Sequence, residues 1–381
     1  MSFKRITLVG GGRWATILLK EIIKVFPNLS VDWACGSQIN KKKKILSSDM
    51  AFKNISLVKK NLIYKTHKNN KVIIASHSSQ HHEDFLALQD DEVDMLIEKP
   101  LFSSIDNFEI FAQEGPKNTF LNLEFYYAFF VRDFFEEVES IPLKKIEFVW
   151  HDPLFENRFL GKTKYSEIFS SIFMDQLLHV MSICKVFNLN PDKYQNLSVN
   201  DGNFFNKDAI ELNFSCDNVD ISVSLSRFAK VRARKIVINE DEATLNFTNT
   251  PELHINKKFK KGFNISDRLF PVASTLKNFI NYPDSRAIED LSIRGLLPFI
   301  KFCFFCEDEF IKCYSNSFSK IANEMRSCKK FDPCSAYYAG IMYYRQLIDS
   351  SDSSDIHFYK GNKGLSKLED WWLIFLKQNV P

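Results

Sequence analysis

Apolar and polar residues follow two different patterns along this chain, and the change comes near residue 124. Before that point, short and continuous apolar runs predict buried strands, and stretches with helical spacing lie between them. This alternation is typical of a doubly wound parallel sheet with helices on both faces, which we predict for residues 1–123. The predicted strands are 4–9, 31–35, 72–76, 94–97 and 119–123, and the predicted helices are 13–25, 81–89 and a segment around 108–111.

Beyond residue 124, half-exposed strands follow one another without helices between them, which predicts a mainly antiparallel open sheet. With the helices around it, this sheet makes an α+β domain over 124–306, and a helical C-terminal extension follows over 307–381. The predicted strands are 143–150, 209–216, 219–228, 234–239 and 243–247, and the predicted helices are 130–138, 166–187, 272–281, 287–306, 307–325, 335–350 and 365–378.

The composition is that of a soluble globular protein. Apolar residues make up 45% of the 381 residues, 37 are phenylalanine, and the net charge is only +3, so nucleic acid is not an expected partner. The amino terminus leads straight into a strand, and no apolar run reaches the roughly 18 residues that a membrane span needs. We therefore expect a cytoplasmic protein.

Eight cysteines are present, and in a cytoplasmic chain they are expected to be reduced. Cys303 and Cys306 have CxxC spacing, but they lie in an apolar, helix-like run without a second pair to complete a zinc site. We predict buried thiols there and no metal site.

The first chemical motif is a glycine-rich turn between the first strand and the first helix. Gly10, Gly11 and Gly12 allow a tight turn and a close backbone approach, and Ala15 stands where the helix packs on the strand. The following helix N-terminus, with Arg13 and Trp14, offers N–H groups and partial positive charge to a phosphate. The pattern predicts a dinucleotide-binding Rossmann domain.

The end of the second strand bears on the choice of cofactor. An NAD-preferring fold places an acid there for the ribose hydroxyls, but this chain reads Cys35-Gly36-Ser37-Gln38. Ser37, Lys41 and Lys42 could bind a 2′-phosphate, so we predict a preference for NADP(H), with NAD(H) possible. The alternative is that the lysines only form a solvated helix face.

Two further motifs supply proton chemistry. Glu98-Lys99-Pro100 follows a buried parallel strand, where open α/β sheets bind ligands, and the Lys99 ammonium can stabilise negative charge on a substrate oxygen. Asp175 and His179 are four residues apart on one helix, a suitable pair for moving a proton near neutral pH. The alternatives are a surface lysine and a structural salt bridge or core histidine.

In these motifs the chain resembles the glucose–fructose oxidoreductase / inositol dehydrogenase (Gfo/Idh/MocA) family. The resemblance rests on the glycine turn, on Ile97-Glu98-Lys99-Pro100, on the Asp/His helix, and on the turn that begins at Ala75, and it runs to about residue 306. It implies that Lys99 and His179 are the catalytic pair, with Asp175 holding the substrate or orienting His179. The implied contacts of the nicotinamide half of the cofactor are Ser76, Ser78, His81 and Glu98. We also expect His77, which replaces a proline usual in the family, to lie at the cofactor.

The resemblance implies an NADP(H)-dependent oxidoreductase. The expected substrate is a sugar, nucleotide-sugar or cyclitol that exchanges a hydride at a carbonyl or hydroxyl carbon. One alternative is an NADPH-dependent imine reductase in siderophore or other secondary-metabolite biosynthesis, because Phe173 and Met174 replace small residues usual in the family. Another is a non-catalytic regulatory protein that binds the dinucleotide. The expected partners are a small-molecule substrate and a second copy of the chain, in a dimer or tetramer formed through the C-terminal sheet.

Overall fold

The computed structural model describes most of the chain up to residue 325. The described residues are 5–36, 39–47, 52–66, 71–77, 80–90, 92–101, 105–153, 155–158, 162–165, 171–199, 209–227, 229–264 and 270–325. Among the predicted elements, the helices at 335–350 and 365–378 lie outside these residues.

The chain divides into two compact units that are discontinuous in sequence. The first contains residues 1–132 and 265–301, and the second contains residues 133–264 and 302–381. The first unit is thus larger than the predicted nucleotide-binding domain, because a later segment returns to it.

A six-stranded parallel sheet forms the centre of the first unit, in the order β3-β2-β1-β4-β5-β6. Strands β4 and β5 are buried along their whole length, as expected when helices cover both sides of a sheet, whereas the edge strand β3 is at most half-buried. The order is that of a Rossmann fold, so the predicted doubly wound sheet is confirmed. The strands are β1 Arg5–Val9, β2 Ser30–Cys35, β3 Ile55–Lys59, β4 Lys71–Ile74, β5 Asp94–Ile97 and β6 Thr119–Leu121.

Helices connect the strands, and the segment 265–301 adds a further helix to this unit. Lys71 at the start of β4 is fully buried; its ammonium lies 2.7 Å from Asp94 and donates to the Phe279 carbonyl at 3.2 Å. Through the bond to Phe279, Lys71 links helix α8 (Pro271–Ile280) to the sheet. The helices of this unit are α1 Arg13–Val25, α2 Ile39–Ser47, α3 Lys60–Thr66, α4 His81–Leu88, α5 Ile105–Glu114 and, from the returning segment, α8 Pro271–Ile280. The boundary between the units, at residues 132/133, falls within helix α6, Phe129–Val138.

An eight-stranded sheet organises the second unit, in the order β10-β11-β12-β7-β13-β14-β15-β16. Every neighbouring pair is antiparallel except β12 and β7, which confirms the mainly antiparallel sheet. Side chains of β7 alternate between a buried and a half-exposed face. The strands are β7 Lys145–His151, β10 Gln195–Val199, β11 Ile210–Cys216, β12 Val219–Ser226, β13 Ala233–Ile238, β14 Ala243–Asn246, β15 Glu252–Ile255 and β16 Lys258–Gly262, with a separate hairpin of β8 Phe155–Arg158 and β9 Lys162–Tyr165.

Two helical segments differ from the prediction. The segment that carries Asp175 begins as a π-helical turn, Phe173–Leu177, and continues as α7, Leu178–Val186. The last described helix, α9, runs without interruption over Ile293–Met325, so the domain boundary expected at 306/307 lies inside it. No helix of the described residues is both long and apolar enough to cross a membrane.

Candidate functional site

The glycine turn takes the shape that its role requires. Gly10 has φ +132°, and a Cβ there would lie 2.3 Å from the Ala75 carbonyl oxygen, so only glycine fits between β1 and β4. A Cβ at Gly12, in contrast, would meet nothing within 4 Å. The backbone is therefore packed tightly at Gly10 and open at Gly12. The open space at Gly12 leaves room for a ligand to approach the backbone.

Helix α1 begins directly at this turn with its N-terminal N–H groups uncapped by a side chain. Gly12 is the N-cap residue and makes no side-chain hydrogen bond. Arg13 is exposed in the first turn, and Ala15 is fully buried, as predicted for the residue that packs helix on strand. A 13-residue helix with a free, open N-terminus attracts a phosphate through its N–H groups and its dipole.

The end of β2 supplies no carboxylate, and a lysine lies nearby. The Lys42 ammonium is 2.7 Å from the Thr16 hydroxyl on α1 and 5.1 Å from the centre of the Trp33 ring. Only 6% of Lys42 is exposed, so it is not part of a solvated face. Burial raises the pKa of the neighbouring Cys35 thiol to about 11, and the Lys42 charge opposes that shift. Ser37 and the side chain of Lys41 lie outside the described residues.

Glu98 lies at the centre of a polar cluster at the carboxyl ends of β1, β5 and β6. Its Oε1 accepts hydrogen bonds from the Trp14 indole N–H and the Asn122 amide. Burial raises the pKa of Glu98 to about 7, although these two donors favour the ionised form. The cluster brings the predicted cofactor residues Trp14 and Glu98 together and adds Asn122, which the sequence motifs did not indicate.

His81 connects the turns that follow β4 and β5. Its Nδ1 lies 2.9 Å from the Pro100 carbonyl oxygen and its Nε2 lies 3.1 Å from that of Ser76. Lys99 is half-buried and precedes a cis peptide bond to Pro100. His81 therefore holds in place the backbone beside Lys99. The Ser76 hydroxyl is buried and has no hydrogen-bond partner among the described residues. His77 is exposed, and Ser78 lies outside them.

In the second unit, the structure places Asp175 on the π-helical turn and His179 in the first turn of α7. Asp175 forms an ion pair with Arg227, whose side chain is 5% exposed. The His179 ring is 8% exposed and stacks on the Trp150 indole, with ring centres 5.3 Å apart and planes 14° from parallel. Lys99 belongs to the first unit and His179 to the second.

Two more arginines lie beside this pair, held by one carboxylate. Asp152, just after β7, accepts from Arg232 Nε at 2.9 Å and from Arg234 Nη2 at 3.0 Å. Gln176, the residue after Asp175, donates to Asp152 at 3.3 Å. The Arg234 guanidinium also lies 4.6 Å from the centre of the Trp150 ring. Trp150 therefore contacts both His179 and Arg234.

The motifs did not indicate these arginines, although a signal exists in the sequence. The segment 227–235 reads Arg-Phe-Ala-Lys-Val-Arg-Ala-Arg-Lys, with five basic residues and no acid. Arg234 lies on β13 directly opposite Trp150, and Arg232 immediately precedes this strand. Alternation along an extended chain therefore predicts both arginines on the face that carries Trp150.

The CxxC pair lies in the core of the protein. Cys303 and Cys306 are buried free thiols, and burial raises the pKa of both well above the ordinary value, so the predicted buried thiols are confirmed. Across the part of the chain that the structure describes, no group of three or more His, Cys, Asp or Glu residues is arranged to hold a metal ion.

Comparison by sequence finds no matching family model and no matching curated protein. Comparison by structure finds similar folds. UDP-N-acetylglucosamine 3-dehydrogenase GnnA from Acidithiobacillus ferrooxidans is 12% identical, with a TM-score of 0.58 over 81% of this chain and 98% of that one. A myo-inositol dehydrogenase from Corynebacterium glutamicum is 14% identical, with a TM-score of 0.59 over 80% of this chain and 96% of that one.

A third similar structure was solved with a cofactor. It is an oxidoreductase from Agrobacterium radiobacter in complex with NAD+, L-tartaric acid and magnesium, 12% identical, with a TM-score of 0.61 over 81% of this chain and 96% of that one. These likenesses show that the chain has the fold of these dehydrogenases over about four fifths of its length.

Proposed function

We propose that this chain, which has the fold of the Gfo/Idh/MocA oxidoreductases, is an NADP(H)-dependent oxidoreductase. Its reaction transfers a hydride between the nicotinamide and a carbonyl or hydroxyl carbon of a sugar, nucleotide-sugar or cyclitol. The structural neighbours support this class, since two are named sugar-nucleotide and cyclitol dehydrogenases.

The observation that carries the proposal is the turn between β1 and α1. Its Gly10 is constrained to φ +132° against Ala75, its Gly12 opens into space, and α1 begins there without a side-chain cap. This arrangement fits a pyrophosphate, which would lie on the N-terminus of α1. The buried Ser76 hydroxyl and the Glu98 carboxylate fit the polar nicotinamide half of the same cofactor.

Within this proposal, two residues act on the substrate oxygen. When bound, the nicotinamide supplies the hydride donor or acceptor for the substrate carbon. His179 takes the hydroxyl proton in the oxidative direction and returns it to the oxygen in the reductive direction. The Lys99 ammonium hydrogen-bonds the same oxygen and stabilises its negative charge. Asp175, held by Arg227, contributes a fixed carboxylate beside His179.

The preference for NADP(H) rests on the end of β2, which would not repel a 2′-phosphate because it has no acid. The buried Lys42 ammonium beside Thr16 adds positive charge to this end of the sheet. The neighbour with NAD+ supports a nicotinamide dinucleotide in general.

We also propose that the protein is a homo-oligomer that associates through the half-exposed face of the large sheet. Val149 and Val237 lie on this face. Replacing both with aspartate is expected to yield monomers in light-scattering measurements, and a wild-type monomer would contradict this assembly.

The test of the reaction is a turnover assay on a panel of sugars, nucleotide-sugars, cyclitols and cyclic imines, with NADP(H) and NAD(H). Lys99→Ala is expected to reduce kcat by about two to four orders of magnitude, because the charge on the substrate oxygen loses its stabilising partner. The cofactor dissociation constant of this variant should stay near the wild-type value.

Lys117→Ala, which removes an exposed lysine of the same unit, is the matched control and should retain wild-type kcat. Turnover confined to the imines would contradict the proposed substrate class. Equal kcat in wild type and Lys99→Ala would contradict the role of Lys99.

A further inference from the structure

The carboxyl end of β3 carries two lysines that have no role in the hydride-transfer proposal. Lys59 is the last residue of β3, and Lys60 is the first residue of α3. β3 is an edge strand of the parallel sheet, and Lys59 lies directly opposite Cys35, the last residue of β2. Lys59 is therefore beside the point where a dinucleotide-binding sheet meets the ribose of the adenosine half of its cofactor.

The backbone at the end of β2 is open. Cys35 is fully buried, but Gly36, which follows it, is exposed, and a Cβ there would meet nothing within 4 Å. The segment from Cys35 to Gln38 contains no acid. The end of β2 therefore has open space beside its backbone and no carboxylate of its own to repel a 2′-phosphate.

Lys59 and Lys42 lie on the same face of the sheet. Trp33 and Cys35 are two residues apart on β2, so their side chains share one face, and the Lys42 ammonium lies 5.1 Å from the centre of the Trp33 ring. Side chains directly opposite each other on paired strands point to the same side, so Lys59 shares the face of Cys35. Positive charge is thus present on both sides of the end of β2.

The two neighbouring lysines differ in what they contact. The Lys60 ammonium lies 2.5 Å from the buried carboxylate of Asp84 and donates to Gln80 Oε1 at 3.2 Å, so it is committed to contacts within the protein. Lys59 is exposed, and its side chain forms no hydrogen bond or ion pair with the residues that the structure describes. The Lys59 ammonium therefore remains available to an anion.

We propose that Lys59 binds the 2′-phosphate of NADP(H), with Lys42 adding positive charge on the same face. This inference rests on the proposed function and assigns the cofactor preference to a residue of the neighbouring strand, outside the segment that follows β2. The Lys59 ammonium forms a charge-assisted hydrogen bond with the phosphate. A lysine on an edge strand also discourages pairing with another sheet, but that role would not distinguish NADPH from NADH.

Fluorescence titration of NADPH and NADH into wild type and Lys59→Gln tests the assignment. Wild type is expected to bind NADPH more tightly than NADH. Lys59→Gln is expected to raise the dissociation constant of NADPH about five-fold or more. It should leave that of NADH within about two-fold, because NADH has no 2′-phosphate. Lys59→Arg, which keeps the positive charge, should retain most of the preference for NADPH.

Lys53→Gln is the matched control, because Lys53 is an exposed lysine two residues before the opposite end of β3. It should bind both dinucleotides as wild type does. Calorimetric titration of adenosine 2′,5′-bisphosphate and adenosine 5′-monophosphate repeats the comparison with ligands that differ only in the 2′-phosphate. Raising the salt from about 0.05 M to about 0.5 M should weaken the binding of the bisphosphate more than that of the monophosphate.

Equal wild-type affinities for NADPH and NADH, or an affinity for NADPH that is the same in wild type and Lys59→Gln, would overturn the assignment of Lys59. Either result leaves the proposed oxidoreductase standing. A loss of NADPH affinity in Lys53→Gln as large as that in Lys59→Gln would also overturn the assignment, since the effect would then follow from overall charge. Wild-type protein that binds neither dinucleotide would overturn the assignment and the proposed function together.

Discussion

Glu98 illustrates how a single residue acquires its properties from elements that are distant in sequence. Its place after β5 was predicted, but its two donors come from Trp14 on α1 and Asn122 after β6. Parallel strands bring their carboxyl ends to one edge of the sheet, so residues separated by 84 and 24 positions meet there. The result is a buried carboxyl group with a pKa of about 7.

This raised pKa makes the stability of the protein depend on pH in a definite direction. Between the ordinary value of 4.5 and about 7, the unfolded chain has lost a proton that the folded chain keeps. The free energy of unfolding therefore falls as the pH rises through this window, by up to about 3 kcal/mol. Glu98→Gln does not titrate and still offers an oxygen to Trp14 and Asn122.

We therefore expect the free energy of unfolding of Glu98→Gln, relative to that of wild type, to rise by about 1–3 kcal/mol from pH 5 to pH 8. Chemical denaturation at both pH values measures this change. Glu92→Gln, at an exposed position of the same unit, should show no such gain. A constant difference between Glu98→Gln and wild type at the two pH values would show that Glu98 titrates normally.

In the turn between β1 and α1, Gly10 and Gly12 have different structural roles. Gly10 is required by the fold, because any side chain would overlap the carbonyl of Ala75, the residue that follows β4. Gly12 has ordinary backbone angles and open space beside it. Gly10 is therefore needed for the packing of β1 beside Ala75, and Gly12 is proposed to leave room for the ligand.

Alanine substitutions at the two glycines should change the free energy of unfolding by different amounts. Gly10→Ala is expected to lower the free energy of unfolding by about 2 kcal/mol or more, through backbone strain and steric overlap. Gly12→Ala should change it by less than about 0.5 kcal/mol. Denaturant titration of both variants measures the difference. Equal losses of stability would mean that Gly12 is a packing residue and not a ligand-facing one.

The elements that the sequence predicted well are those whose burial follows one simple pattern. Strands β1, β4 and β5 are continuous apolar runs, and α1 has a clear apolar stripe. In contrast, β3 and β16 lie at sheet edges and contain lysines, so their patterns resemble those of loops. The π-helical turn at Phe173–Leu177 was also missed, because a stretch of five residues does not alter an apolar period enough to be seen.

Across the whole molecule, local motifs single out candidate site residues but not the ion pairs that surround them. The glycine turn, Lys99 and His179 are recognisable because each follows a local pattern. The ion pairs of Asp152 with Arg232 and Arg234 join residues 80 and 82 positions apart, and no local spacing indicates them. Contacts of this kind depend on the folded structure, so a local sequence pattern does not reveal them.

The chain is also divided in a way that the linear sequence conceals. The proposed cofactor residues belong to the first unit, and the proposed proton-transfer residue His179 belongs to the second. The segment 265–301 returns to the first unit, where α8 is fixed to the sheet by the buried Lys71 and Asp94 pair. A linear division at residues 123 and 306 does not describe this arrangement.

Fluorescence titration of NADPH and NADH tests whether the β1–α1 turn binds a nicotinamide dinucleotide, without knowledge of the substrate. Wild type is expected to bind NADPH more tightly than NADH. Gly12→Ala should weaken the binding of both by about ten-fold or more with unchanged stability, because its methyl group occupies the space of the pyrophosphate. If wild type binds neither dinucleotide, or if Gly12→Ala binds them as tightly as wild type does, the β1–α1 turn is not a dinucleotide-binding site.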